Sequence, residues 1–412
     1  MKLLELADAL RRGEDAPEID LIKRSPVRVV ARCGDAVLKL SLRRPQAIAR
    51  EVRSLERAAA LGLPVPVLLE SGPDWLATRY VAARAAQRSD YPVILPLIER
   101  MHECGMLHGD LHLGNVLIAA SGPLLLDVQK ARFAPWLPAW LRRRELGYFA
   151  FSLDDPLPPE FASVRSWRDR RAQRHWRSRT RRCLVESSAF TAFRDGFRRR
   201  SCSADDLERA LEALDRTEPA KVGKRAILTR SGGFFIKQFD AARDARRAWV
   251  NGLGLEVRGV STGLAVAWTG RALIMRHAGE TLDGWVEREF DGAGAEQQAE
   301  LARALGQLLA RLHRRGIYHA DLKANNVIWS PGAPPSLLDY GSVTFGRDVG
   351  LRRRIKNLAQ LNAALSDRVP GSLREKALTH YLDEAEFSGD ARRLREHVIA
   401  ESLRRNHLWT GC

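Results

Sequence analysis

The chain runs to 412 residues, 45% of them hydrophobic, with 67 Lys and Arg against 50 Asp and Glu and a formal net charge of +17. That length exceeds one comfortable hydrophobic core and makes two units the expectation, while the apolar fraction excludes a disordered chain. No apolar run approaches the roughly 20 residues that cross a bilayer, and the positive charge favours polyanionic partners without choosing among nucleic acid, anionic lipid and phosphorylated substrates.

In chain order, residues 1–20 intersperse leucines with Glu5, Asp8, Arg11 and Arg12. That pattern predicts a short amphipathic helix, not a signal peptide. Strands at 28–31 and 36–40 follow around a Cys-Gly-Asp turn, and the second carries Lys39 among apolar neighbours. A helix is predicted over 45–61 with Glu51 inside it, after which LGLPVPVLLE at 61–70 returns to strand. Ile94, Leu97, Ile98 and Met101 then recur at helical spacing and stop at Gly105.

The run Pro135-Trp136-Leu137-Pro138-Ala139-Trp140-Leu141, followed by Arg142, Arg143 and Arg144, has two readings. Trp and Leu beside a basic cluster suit the headgroup region of an anionic membrane. The plainer expectation, and the one preferred, is that the aromatics fill the junction between the preceding loop and the helices after it. Residues 164–183 hold nine arginines against one acid, Asp169, and read either as a solvated basic helix or as a docking surface. Trp167 and Trp176 within them offer stacking faces, but no nucleic-acid module accompanies them, so nucleic acid is not the expected partner. Cys33, Cys104, Cys183, Cys202 and Cys412 are scattered without a CxxC pair. That argues against a zinc site or disulfide framework and fits a reducing cytoplasm.

The second half repeats the first. Strands at 225–229 and 234–238 flank a Ser-Gly-Gly turn and carry Lys237; a helix is predicted over 241–255; Leu301, Leu305, Leu308 and Leu312 stop at Gly316, a helix C-cap. Residues 107–129 read LHGDLHLGNVLIAASGPLLLDVQ and residues 318–341 read YHADLKANNVIWSPGAPPSLLDYG. Each has His, a small residue, Asp, Leu, and Asn five positions after the Asp; a further Asp follows the Asn by 12 positions in one copy and 13 in the other. The boundary is placed near 178, giving domains 1–178 and 179–412. Each is α+β, a small, mostly β lobe followed by a helical one, with the first helical lobe abbreviated.

These residue types suit phosphoryl transfer, which needs in-line positioning and neutralisation of negative charge. Mg²⁺ prefers oxygen ligands, and Asn115 with Asp127, then Asn326 with Asp339, supply them. Asp110 and Asp321 are placed to accept a proton from an attacking hydroxyl. Lys39 and Lys237 would hold the α/β-phosphates of ATP, and Lys323 the γ-phosphate, with His112 in its place in the first copy. His108 and His319 read as braces of the loop.

HxDLxxxN followed by a strand-borne Asp resembles the protein-kinase-like superfamily, here as two tandem bilobal folds. His319-Ala320-Asp321-Leu322-Lys323-Ala324-Asn325-Asn326-Val327, preceded by Tyr318, is especially similar to the Kdo kinases, which phosphorylate the inner sugar of lipopolysaccharide. The first copy resembles the same lipopolysaccharide kinase group and also the aminoglycoside and choline phosphotransferases. The resemblance implies an ATP- and Mg²⁺-dependent kinase acting on a sugar hydroxyl of the lipopolysaccharide core glycolipid. It further implies a cytoplasmic protein that can lie at the anionic inner face of the inner membrane. A small-molecule or protein kinase, and a non-catalytic pseudokinase adaptor, are the alternatives. Neither copy has the GxGxxG loop of protein kinases. The first lacks a glycine after Asp127-Val128, whereas Asp339-Tyr340-Gly341 keeps it. Relatives place a glutamate opposite the strand lysine; Glu51 is available to Lys39, but Ala248 stands in the second copy, with Asp244 and Glu256 as possible substitutes. Each half thus departs once; because its loop is the more similar to the sugar kinases, the second unit is read as the active one, the first as active or regulatory.

Overall fold

The computed structural model describes residues 3–14, 19–276, 279–385, 387 and 389–405. They form two compact units, 1–172 and 173–412, divided within the arginine-rich helix Arg165–Arg181. Cys412 lies outside the described residues, and Cys33, Cys104, Cys183 and Cys202 form no disulfide with one another. No helix among the described residues is long and apolar enough to cross a membrane.

The first unit opens with the helix Leu3–Arg12, which buries Leu6, Ala7, Ala9 and Leu10. A five-stranded sheet follows, ordered Asp20–Ser25, Arg28–Cys33, Ala36–Ser41, Trp75–Arg79, Leu68–Ser71, every neighbouring pair antiparallel. Side chains alternate faces along a strand. Leu38 and Leu40 therefore join Val29, Ala31, Trp75 and Ala77 in a cluster with Leu6 and Leu10, while Lys39 points to the opposite face. The helix Pro45–Ala60 begins with proline at its first turn, where the missing N–H has no helical partner to lose. It buries Ile48, Glu51, Ser54, Leu55 and Ala58 along one stripe. Glu51 is thus an acid set in an apolar face, which is costly unless it is paired.

The helix Tyr91–Glu103 buries Ile94, Leu97, Ile98 and Met101 and is stopped by Gly105, whose φ is +76°. A Cβ there would lie 1.9 Å from the Ala134 carbonyl oxygen, so glycine is required by contact as well as by conformation. The motif residues come next, then the helix Ala139–Phe151.

The second unit has a seven-stranded antiparallel sheet ordered Phe190–Phe193, Gly196–Arg199, Ala265–Thr269, Ala272–Arg276, Phe234–Phe239, Ala226–Ser231, Pro219–Val222. The helix Ala204–Glu212, capped by Ser203 Oγ accepting from the Asp206 N–H, covers one face through Leu207 and Ala210 against Ile236 and Ile274. Lys237 again takes the opposite face, toward the helix Ala242–Val257. Below the sheet, the helix Ala295–Arg314 packs on Gly371–Glu384. Gly306 permits their close approach, since a Cβ on it would sit 2.5 Å from the Ala377 carbonyl oxygen. After the motif the second unit has the helices Leu351–Ala364, Gly371–Glu384 and Ala391–Leu403. Among the described residues of the first unit, the α-helix Ala139–Phe151 and the start of Arg165–Arg181 hold that place.

The arginine-rich helix is neither wholly solvated nor a free basic face. Arg168 is buried and pairs with Asp155 and Asp169. Trp167 carries Arg170 over its ring at 4.0 Å, and Trp176 carries Arg258 at 4.9 Å, which occupies the stacking faces the sequence offered. The tryptophans at 136 and 140 depart from the preferred expectation. They do not fill a junction: Trp136 is 70% and Trp140 53% exposed, and only Leu137 between them is buried.

Candidate active site

In the second unit a cleft of about 810 Å³ lies between sheet and helical lobe, and Lys237, Asp321, Lys323, Asn326 and Asp339 all line it. Leu228, Ala248, Leu273 and Met275 line it too, an apolar wall beside a polar floor, and the volume is within the usual range for a small-molecule site. The turn between Pro219–Val222 and Ala226–Ser231 brings Lys221, Gly223, Lys224 and Arg225 to the same cleft. A cationic hairpin thus borders the cleft.

Asp339 adopts φ 53°, ψ 62°, the left-handed region that Asp tolerates better than most residues, at the start of the turn Tyr340–Ser342. One carboxylate oxygen, Oδ1, accepts from Lys237 Nζ at 2.8 Å. Asn326 donates from Nδ2 to the Asp321 carbonyl oxygen at 2.8 Å, leaving its own amide oxygen uncommitted to that bond. Lys323 Nζ lies 2.8 Å from the Asp321 carboxylate. His319 is wholly buried and accepts from the Asp321 N–H at Nδ1, 3.2 Å, while Nε2 donates to the Leu338 carbonyl, 3.2 Å. Burial pushes its imidazole below the ordinary histidine range and keeps it in this neutral, one-donor form. It braces the loop and does not face the cleft.

The first unit repeats these bonds. Asn115 Nδ2 donates to the Asp110 carbonyl oxygen at 2.9 Å, and His108 links the Asp110 N–H to the Leu126 carbonyl, at 3.4 and 2.8 Å. Asp127 takes φ 55°, ψ 49°, so the absent glycine leaves the turn Val128–Lys130 unchanged. Lys39 Nζ donates to Glu51 at 2.7 Å and to Asp127 Oδ1 at 2.8 Å. Burial pushes Glu51 above the ordinary carboxylate range against the pull of Lys39. Burial would also raise Asp127, but Lys39 and Arg28 outweigh it and hold that carboxyl below its usual range. Arg28 reaches Asp127 Oδ2 at 3.3 Å, so both oxygens of this carboxylate face a cation. Asp110 pairs with Lys130, at 2.7 Å, and not with a lysine at the position of Lys323; that place belongs to His112, half-buried and lowered chiefly by its burial.

Two substitutes considered for the missing helix glutamate of the second unit do not serve. Asp244 pairs with Arg247 at 3.3 Å, and Glu256 with Arg199 at 2.6 Å. Among the described residues the carboxylate paired with Lys237 is Asp339. The reason is register: Ala248 occupies the helix position that faces the lysine and is itself buried.

One further repeated element escaped the sequence reading. His102 and His313 each stand three residues before the capping glycine and eight before the motif Asp. His102 Nε2 lies 3.0 Å from Glu145, whose oxygens accept from the His108 and Gly109 N–H groups at 3.2 and 2.7 Å. His313 Nε2 lies 3.4 Å from Asn357 Oδ1, and Asn357 Nδ2 donates to the His319 carbonyl oxygen. In both units a buried histidine thus anchors the motif loop through a polar residue of the next helix. The fixed spacing of His before Gly and Asp was the available signal.

Residues 271–381 match the lipopolysaccharide kinase (Kdo/WaaP) family, about a quarter of the chain, and the span takes in Asp321, Lys323, Asn326 and Asp339 but begins after Lys237. The chain is 40% identical over 62 residues to a 3-deoxy-D-manno-octulosonic acid kinase of Xanthomonas euvesicatoria pv. vesicatoria (strain 85-10), covering 15% of this chain and 24% of that protein. It is 40% identical over 60 residues to the enzyme of the same name from Xanthomonas campestris pv. campestris (strain B100), with the same coverage. The chain thus spans about a quarter of the length of the curated relatives it matches. Among solved structures, a choline/ethanolamine kinase family protein from Mesorhizobium loti aligns at 14% identity and a TM-score of 0.31, over 42% of this chain and 81% of that one.

Proposed function

We propose that the protein is an ATP-dependent kinase whose second unit phosphorylates a sugar hydroxyl of the lipopolysaccharide core, with the first unit a second kinase-like domain, 1–178 and 179–412 being the domain limits. The observation that carries this is the convergence of Asp321, Lys323, Asn326, Asp339 and Lys237 on one nucleotide-sized cleft. The donor set suits Mg²⁺: a carboxylate and an amide oxygen are hard ligands, and one oxygen of Asp339 is outside its ion pair. Asn326 and Asp339 would hold the ion, which when bound neutralises triphosphate charge.

The chain's own residues divide the remaining work. Lys237, fixed by Asp339, would hold the α/β-phosphates, and the hairpin Lys221–Arg225 covers them with positive charge. Asp321 would accept the hydroxyl proton as the acceptor oxygen bonds to the γ-phosphorus and the bond to the bridging oxygen breaks, releasing ADP. Lys323 stands beside it to balance the transferred phosphoryl. The relatives' name specifies an acidic sugar as acceptor, and a chain of net charge +17 complements one. The reading places the protein in the cytoplasm.

The first unit supports a second reading for itself. With both oxygens of Asp127 facing cations, it is suited to a regulatory role without turnover. The test is transfer of labelled phosphate from ATP to core glycolipid, an aminoglycoside and a basic protein in parallel. Label on the glycolipid, lost in D321N and retained in D110N, is the expected result. Label on protein alone would defeat the acceptor assignment, and no label on any acceptor would favour an adaptor.

A further inference from the structure

The first unit carries a basic concavity that this phosphoryl chemistry does not use. Two adjoining hollows of about 480 and 540 Å³ share Arg50, Gln129 and Lys130 as walls. Arg132 and Arg144 line the first, and Arg43 and Arg44 the second. Glu145 is the one acid in either wall, and its oxygens are taken by the His102 ring and the N–H groups of His108 and Gly109. Among the described residues no carboxylate pairs with Arg43, Arg44, Arg50 or Arg132. Lys130 is paired with Asp110, and arginines gathered in a hollow whose one acid is already committed are a site for phosphate groups.

Arg144 joins this hollow to exposed aromatic surface, its guanidinium 5.4 Å from the Trp140 ring centroid. Trp136 and Trp140 turn to solvent while Leu137, 5% exposed, anchors the segment between them. Indoles are amphipathic and settle at the headgroup level of a bilayer, where neighbouring arginines meet lipid phosphates. We infer that Trp136, Trp140 and the arginine-lined hollow form one docking surface for a bilayer that carries anionic phospholipid. The charge of the wall selects that partner over a neutral membrane, and the paired indoles select a membrane over a soluble anion. The surface stands apart from the acceptor assignment, because docking requires neither ATP nor a sugar hydroxyl.

The experiment is co-sedimentation of the full chain, without nucleotide, on vesicles of phosphatidylcholine with and without phosphatidylglycerol. The protein is expected to bind only the anionic vesicles. R43A/R44A/R50A should weaken binding about a hundredfold, at roughly fivefold per cation lost near an anionic surface. W136A/W140A should weaken it about tenfold. R271A/R347A/R352A removes the same charge from exposed positions of the second unit and should leave binding within about twofold of the parent. A vesicle-induced blue shift of tryptophan emission, present in the parent and absent in W136F/W140F, reports insertion without removing aromatic bulk. An equal loss in the second-unit triple variant would reduce the effect to overall charge and overturn the assignment. So would undiminished binding by W136A/W140A, or no binding of the parent to anionic vesicles.

Discussion

Replacing the Asp321 carboxylate with an amide keeps its size and removes its basicity. The Asp321 N–H and carbonyl bonds to His319 and Asn326 are backbone bonds, so D321N should leave the loop in place. Turnover is expected to fall at least about a hundredfold, while Mg-ATP continues to raise the melting temperature. Wild-type rates in D321N with Asp110 also replaced would remove the proposed base. Residues of this kind were legible before the structure because the chemistry dictates type and spacing together. Type and spacing were enough to pick out Lys237, Asp321, Asn326 and Asp339, which line one cleft; the base and metal roles given to them belong to the proposal. Arg28 and Lys130 were not legible, since each is an ordinary surface cation until folding sets it 3.3 Å from Asp127 or 2.7 Å from Asp110. Nor could spacing reveal that Asp244 and Glu256 would find other arginines; competition among charges is decided in three dimensions.

At the scale of elements, the helix Ala295–Arg314 carries two predictions. His313 is wholly buried against Tyr381 and Asn357, and burial pushes its pKa to about 3. An unfolded chain binds a proton there near pH 6.5 that the folded chain refuses. Its contribution is therefore complete above the unfolded value and is lost as pH falls toward 3. The loss amounts to about 2 kcal/mol between pH 7 and pH 5. Urea unfolding at both pH values should show this slope, and H313Q should flatten it in part, because buried His319 titrates in the same sense. An unchanged slope would mean that His313 is protonated in the fold. Gly306 sets two opposing effects against each other. Alanine favours a helix by about 1 kcal/mol, but a Cβ here meets Ala377 backbone oxygen at 2.5 Å and His380 Cβ at 2.7 Å, and overpacking of that kind costs about 1–3 kcal/mol. The clash wins, and G306A is expected to lower the melting temperature. The long helices and the lysine hairpins were legible from periodicity. The strands Phe190–Phe193 and Gly196–Arg199 were not, because four-residue strands beside a run of arginines have too few alternations to register.

At the scale of the whole molecule, the repeat raises the question of how many nucleotides one chain holds. Both units set a strand lysine 2.8 Å from a left-handed aspartate, but they differ in what else surrounds that carboxylate. Asp339 gives one oxygen to Lys237, whereas Asp127 is shared between Lys39 and Arg28. A divalent ion entering the first unit must displace Arg28 or tolerate it at close range, and like charges in a part-buried site repel strongly. Calorimetry should accordingly find one Mg-ATP site per chain, abolished by K237M and D339N and indifferent to D127N. Removing the obstruction is the sharper half of the test. R28A frees Asp127 Oδ2 while keeping the Lys39–Glu51 pair, and a second Mg-ATP should then bind. Two sites in the parent chain, of comparable affinity, would show that Arg28 yields readily and that the first unit is equipped for turnover as well. A single site that survives K237M but is lost with D127N would reverse the roles assigned to the two units.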